Sequence, residues 1–100
     1  MKNNKANELN SWLKEISEVP GPSGFERRVR ELMIERLAGT CEILQDKIGS
    51  VIFKKLGHNP GPAVMLAAHM DEIGFLVKNV TKDGFLKFVT LGGWWEQVML

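Results

Sequence analysis

Between residues 8 and 19 the apolar positions Leu9, Trp12, Leu13, Ile16 and Val19 recur three or four apart. That period places them on one stripe of an α-helix and leaves Lys14, Glu15 and Glu18 outside it. Pro20 ends the helix, because a proline disfavours helical geometry in the residue before it. Pro20-Gly21-Pro22-Ser23-Gly24 reads as a loop, its glycines permitting sharp reversals. A second helix follows at once: Ser23 and Glu26 have the spacing of a capping box, and Phe25, Val29, Leu32, Met33 and Leu37 form the next stripe before Gly39 closes it.

Beyond Thr40 the period becomes that of extended chain. Residues 41–45 and 50–56 predict two strands around the turn Asp46-Lys47-Ile48-Gly49, a hairpin in its simplest form. Gly57-His58-Asn59-Pro60-Gly61-Pro62 is loop chemistry, and it leads into Ala63-Val64-Met65-Leu66-Ala67-Ala68, apolar at every position, the pattern of a strand buried on both faces. Two further strands, 73–80 and 85–91, flank Thr81-Lys82-Asp83-Gly84, where Asp-Gly is a strong hairpin signal. Past Gly92-Gly93-Trp94-Trp95 the sequence stops within the apolar run Val98-Met99-Leu100, which predicts a strand cut off before its partner. Two helices followed by a mixed sheet make the expected class α/β.

One hundred residues allow one compact domain at most. Apolar residues at 44% and charged residues at 25% match a soluble globular protein and exclude a disordered tail. The formal charge is only +1 and the basic residues are dispersed, so no nucleic-acid partner is expected. The lone Cys41 cannot form an internal disulfide, and the opening Met1-Lys2-Asn3-Asn4-Lys5 has no apolar leader, which together predict a reducing cytoplasm. Residues 63–68 are the longest apolar run, far below the roughly 20 residues of a membrane span, so no membrane partner is expected either.

Candidate chemistry concentrates in His69-Met70-Asp71-Glu72, directly after the all-apolar strand, where an α/β sheet presents side chains to the crevice beyond its strand ends. If extended geometry continues, His69 and Asp71 project from one face and the carboxylate reaches the imidazole. A metal-bound histidine coordinates through one ring nitrogen, and a carboxylate on the other fixes its tautomer and raises its basicity. On residue types alone, His-x-Asp is a weak signal, and a histidine closing a buried strand is more often a satisfied structural residue. Glu72 has two readings: a solvated carboxylate at the strand end, or one that supports the site indirectly.

Other features read as structure. His58 sits among Gly57, Asn59 and Pro60 in an exposed loop. Residues 20–24 lack the Gly-Lys-Ser/Thr ending of a phosphate loop and follow no strand, so they read as a turn. Cys41 opens a strand with no base nearby in sequence and reads as a buried thiol. Trp94 and Trp95 read as core or interface residues in preference to a ligand-stacking pair.

Three blocks in order, Val19-Pro20-Gly21-Pro22-Ser23-Gly24-Phe25-Glu26, Asp46-Lys47-Ile48-Gly49-Ser50-Val51 and the run from Met65 through His69-Met70-Asp71-Glu72 to Phe75, resemble the glutamyl aminopeptidase and tetrahedral aminopeptidase family, metallopeptidase family forty-two. The resemblance extends over residues 9–100 and includes Asp83-Gly84-Phe85-Leu86 and Leu91-Gly92-Gly93-Trp94. It implies an enzyme that removes N-terminal residues from peptide substrates with two divalent metal ions, zinc or cobalt, inside a large homo-oligomer. His69 then corresponds to a ligand of one metal, and Asp71 to the catalytic carboxylate that orients it. The family's bridging aspartate, general base and remaining ligands match nothing here, so the chain alone is expected to be inactive. The same resemblance divides the chain into 1–72, the first part of an α/β catalytic domain, and 73–100, the start of an inserted β-rich dimerisation domain. Two other classes remain as alternatives: a non-catalytic scaffold that oligomerises through its β edge and the Trp94-Trp95 surface, and a small α+β binding domain with a purely structural His69.

Overall fold

The computed structural model describes residues 2–95 and 97, with Lys2 and Asn3 described by their backbone alone. Helix α1 runs Lys2–Glu18, six residues ahead of the start that apolar periodicity marks, because residues 2–7, polar except for Ala6, extend the helix without adding to the stripe. It stops two residues before Pro20. Helix α2 is Arg27–Leu37, and its N-cap is Glu26 with no side-chain cap hydrogen bond.

The predicted capping box is therefore corrected. Ser23 lies too far upstream of Arg27 to cap α2, and residues 22–25 form a turn in which the Phe25 amide donates to the Pro22 carbonyl at 2.8 Å. Gly24 takes φ 88° there, a left-handed conformation that glycine adopts without steric cost. The Glu26 carboxylate reaches back only to the Gly24 amide, at 2.7 Å. Arg36 of α2 pairs with Glu15 of α1.

Strands β1 (Glu42–Gln45) and β2 (Val51–Lys54) form an antiparallel hairpin with Gln45 opposite Val51. Its turn is built on Asp46, whose Oδ1 accepts from the amides of Ile48, Gly49 and Ser50 at 3.0, 2.8 and 2.8 Å. The Ser50 side chain first, then these amides, hold the Asp46 carboxyl below its ordinary pKa. Arg30 of α2 donates to the Gly49 carbonyl at 3.0 Å and ties the hairpin to the helix.

Strands β3 (Gly74–Val80) and β4 (Leu86–Leu91) make a second antiparallel hairpin, with a bulge between Val77 and Asn79. Gly84 has φ 85° in its turn, as an Asp-Gly hairpin requires. Trp94 covers the open end of this pair: its indole N–H is shared between the carbonyls of Gly74 (3.1 Å) and Leu91 (3.2 Å). The ring stacks on Phe75 at 4.2 Å, and Phe75 meets Phe88 edge-on at 4.5 Å.

The expected mixed sheet is two separate two-stranded antiparallel sheets, and a parallel bridge between Pro22 and Glu72 links the loop after α1 to the segment before β3. Residues 63–68 are neither a strand nor buried; Val64, Met65 and Leu66 are 83%, 87% and 94% exposed. A strand exists only through its ladder partners, and no described residue supplies one. The predicted strand ending at Val98-Met99-Leu100 lies outside the described residues.

Val29, 5% exposed, is the one buried apolar side chain among the described residues. The accessible surface is 9347 Å², where a folded monomer of this mass shows roughly 5,700 Å². A radius of gyration of 18.6 Å likewise exceeds the roughly 13 Å of a close-packed domain of this length. Elements of the right kind are present, and most of their apolar faces are uncovered.

Candidate functional site

Residues 69–71 belong to no helix or strand, and Glu72 makes an isolated parallel bridge. His69 and Asp71 meet across this short stretch: the ring Nδ1 stands 2.8 Å from Asp71 Oδ1 and 3.1 Å from the Asp71 main-chain carbonyl. A carboxylate and a carbonyl both only accept, so the shared proton is on Nδ1 and the ring donates. In the neutral ring Nε2 therefore carries the free lone pair. The His69 side chain is 85% exposed, with its imidazole on an open surface.

Asp71 is held from its other end as well. The Ser23 hydroxyl donates to Asp71 Oδ2, so each carboxylate oxygen has one donor. The Ser23 hydrogen bond first, then that from His69, lowers the Asp71 pKa and keeps the group an ionised acceptor.

Glu72 turns the opposite way and fastens the segment to the loop after α1. Its amide donates to the Gly21 carbonyl at 2.9 Å, and its Oε1 accepts from the Gly21 amide at 2.9 Å. The Glu72 carboxylate is thus engaged by a main-chain amide and is not simply solvated at a strand end. Gly21 is buried against Val29, and the close approach leaves no room for a side chain: a Cβ there would stand 2.6 Å from Val29 Cγ2. Gly74 continues the seam, with Pro22 so near that a Cβ would meet it at 3.1 Å.

The loop 20–24 is a turn, as its composition suggests, and it also supplies the donor for Asp71. Composition hides that role, because Ser23 is 48 residues from its partner. The pairing of Pro22 with Glu72 could be suspected only from two Pro/Gly-bounded extended stretches. Among the other candidates, His58 is exposed in its loop. Cys41 is half-buried, with its thiol 3.8 Å from the Leu37 carbonyl. Trp94 packs inward while Trp95 is 76% exposed.

Among the described residues no three His, Cys, Asp or Glu side chains gather closely enough to hold a metal ion. The local donor set is one imidazole with a free Nε2 and a carboxylate already engaged at both oxygens. It fits one ligand of a metal centre and falls short of a whole one. Two shallow hollows run along α1 and α2, and neither is lined by His69. No described helix is long and apolar enough to cross a membrane.

A family model for M42 glutamyl aminopeptidase matches residues 49–100. Lysyl aminopeptidase of Pyrococcus furiosus is 43% identical over 83 residues, which are 81% of this chain and 23% of that protein. The FrvX protein of Escherichia coli is 43% identical over 89 residues, 88% of this chain and 24% of its own length. Among solved structures, a TET aminopeptidase from a marine sediment Thaumarchaeota archaeon superposes with a TM-score of 0.82 at 42% identity, over 94% of this chain and 26% of that one. The chain thus spans about a quarter of the length of the curated relatives it matches.

Proposed function

The chain belongs to the M42 glutamyl aminopeptidase family, and from that premise we propose that it is a segment of a metal-dependent enzyme releasing N-terminal residues from peptides. His69 contributes a ligand through Nε2, and Asp71 holds the ring so that this nitrogen faces outward. The observation that carries the reading is the 2.8 Å contact between His69 Nδ1 and Asp71 Oδ1 on an exposed ring. A carboxylate in that place raises the basicity of the opposite nitrogen, and such partners are worth about 10 to 100-fold in metal affinity or activity. A pair of divalent ions, zinc or cobalt, supplies Lewis acidity toward the scissile carbonyl and lowers the pKa of a water to about 7.

This chain brings one histidine ligand to such a pair, and the reading makes it catalytically incomplete alone. Residues 1–72 are assigned to the catalytic domain, and 73–100 to the opening of an inserted β-rich dimerisation domain. The separate β3–β4 hairpin, joined to the rest through the Glu72–Gly74 seam, supports that division. A homo-oligomer and a cytoplasmic setting complete the proposal; a single cysteine suits a reducing compartment.

Isothermal titration of Zn²⁺ or Co²⁺ into the wild type and His69→Ala tests it. Binding that depends on His69 supports the ligand role, and equal uptake by both removes His69 from any metal site.

A further inference from the structure

We propose that Ser23 is a positioning residue for the His69 ring, acting through Asp71: its hydroxyl pins one carboxylate oxygen so that the other selects the Nδ1–H tautomer and frees Nε2. The torsion that turns an aspartate carboxylate is broad and roughly two-fold, so one hydrogen bond does not fix its plane. Asp71 has two donors at opposite oxygens, Ser23 Oγ on Oδ2 and His69 Nδ1 on Oδ1. With both in place, rotation of the carboxylate breaks one bond or the other.

Ser23 is itself held. It occupies the turn closed by the Phe25 amide on the Pro22 carbonyl at 2.8 Å. On the other side, the Gly21–Glu72 pair fixes the backbone next to Asp71 through two bonds of 2.9 Å. The loop after α1 and the segment before β3 thus carry the hydroxyl and the carboxylate on residues adjacent to the parallel bridge between Pro22 and Glu72.

The order of the three groups also rules out another role. In a nucleophilic triad the hydroxyl faces the imidazole and the carboxylate lies behind the ring. Here the hydroxyl donates to the carboxylate, and the imidazole is on the far oxygen. The acceptor on Ser23 Oγ is the Asp71 carboxylate and not the imidazole, so the hydroxyl orients that carboxylate and does not stand where a triad nucleophile would.

The effect on metal uptake rests on the ligand role proposed for His69, whereas the tautomer effect stands without it. Long-range ¹H–¹⁵N correlation of the His69 ring in the metal-free chain, above the histidine pKa, reads the tautomer directly. The wild type is expected to show the Nδ1–H form in excess. Ser23→Ala should shift the ring toward Nε2–H, and Ser23→Thr, which keeps the hydroxyl, should restore the wild-type pattern. The Gly21 and Glu72 amide signals report that the loop stays docked. Zn²⁺ affinity should fall by up to about 10-fold in Ser23→Ala and recover in Ser23→Thr. A wild-type ring without an Nδ1–H excess, or a Ser23→Ala ring identical to the wild type, overturns the proposal. If His69→Ala binds Zn²⁺ as the wild type does, the ligand role fails while the tautomer result still decides what Ser23 does.

Discussion

The main chain of Glu72 donates to the carbonyl of Gly21, and the main chain of Gly21 donates to the carboxylate of Glu72, both at 2.9 Å. This reciprocal pair joins segments 51 residues apart. Together with the parallel bridge between Pro22 and Glu72, it holds the loop after α1, and with it Ser23, against the segment that carries Asp71. Whatever loosens it loosens the chain of contacts that ends at His69.

Gly21→Ala is the direct perturbation. Its Cβ would lie 2.6 Å from Val29 Cγ2, at the one well-buried apolar side chain among the described residues, so the loop or α2 must move. Overpacking of this kind costs roughly 1–3 kcal/mol. Hydrogen exchange should show the Glu72 amide losing protection in the variant, with the β1–β2 amides little changed. Unaltered protection at Glu72 would contradict the coupling.

The Asp46 turn makes a pH-dependent contribution whose sign follows from its lowered pKa. The folded value lies below the ordinary carboxylate value of 3.8. The contribution is therefore complete above the unfolded pKa and is lost as pH falls through the folded one. Amide shifts of Ile48, Gly49 and Ser50 should titrate together with a midpoint below 3.8. Asp46→Ala should abolish that titration; a midpoint at or above the ordinary carboxylate value would refute the turn's role.

What was legible in the sequence was local. The apolar stripe of α1, the break at Pro20 and both hairpins follow from period and turn residues, because each element satisfies its own backbone within a few residues of chain. The i, i+2 spacing of His69 and Asp71 likewise anticipates a contact. Long-range partners were not legible. Ser23 matches a capping-box pattern, yet its hydroxyl is taken by Asp71, and no local rule ranks those two acceptors. Residues 63–68 show the limit most plainly: an all-apolar run predicts burial, but burial is supplied by neighbours, and none of the described residues covers it.

Trp94 should contribute disproportionately to the β3–β4 hairpin. It stacks on Phe75 at 4.2 Å and closes the strand end through a hydrogen bond shared between Gly74 and Leu91. Full truncation of a buried aromatic costs about 3–5 kcal/mol. Trp94 is half-buried, so Trp94→Ala should cost less, roughly 1–3 kcal/mol. Near-ultraviolet circular dichroism should lose its aromatic signal in this variant and keep it in Trp95→Ala. Equal loss in both would assign the wrong tryptophan.

Uncovered apolar surface governs how the chain behaves in solution. Val64, Met65 and Leu66 are more than four-fifths exposed on a segment that pairs with no described strand, a template for pairing with another chain. Apolar positions of β3 and β4, among them Phe75, Leu76, Val77, Phe88 and Val89, are also more than a third exposed. One buried apolar side chain among the described residues cannot support a sharp two-state transition against the entropy of ordering the chain. Sedimentation velocity should therefore show concentration-dependent self-association, and thermal unfolding should be broad. Met65→Lys with Leu66→Lys should shift the distribution toward monomer, since charges oppose edge pairing. A wild-type monomer with a cooperative transition at all concentrations would mean that residues 63–68 find cover within their own chain.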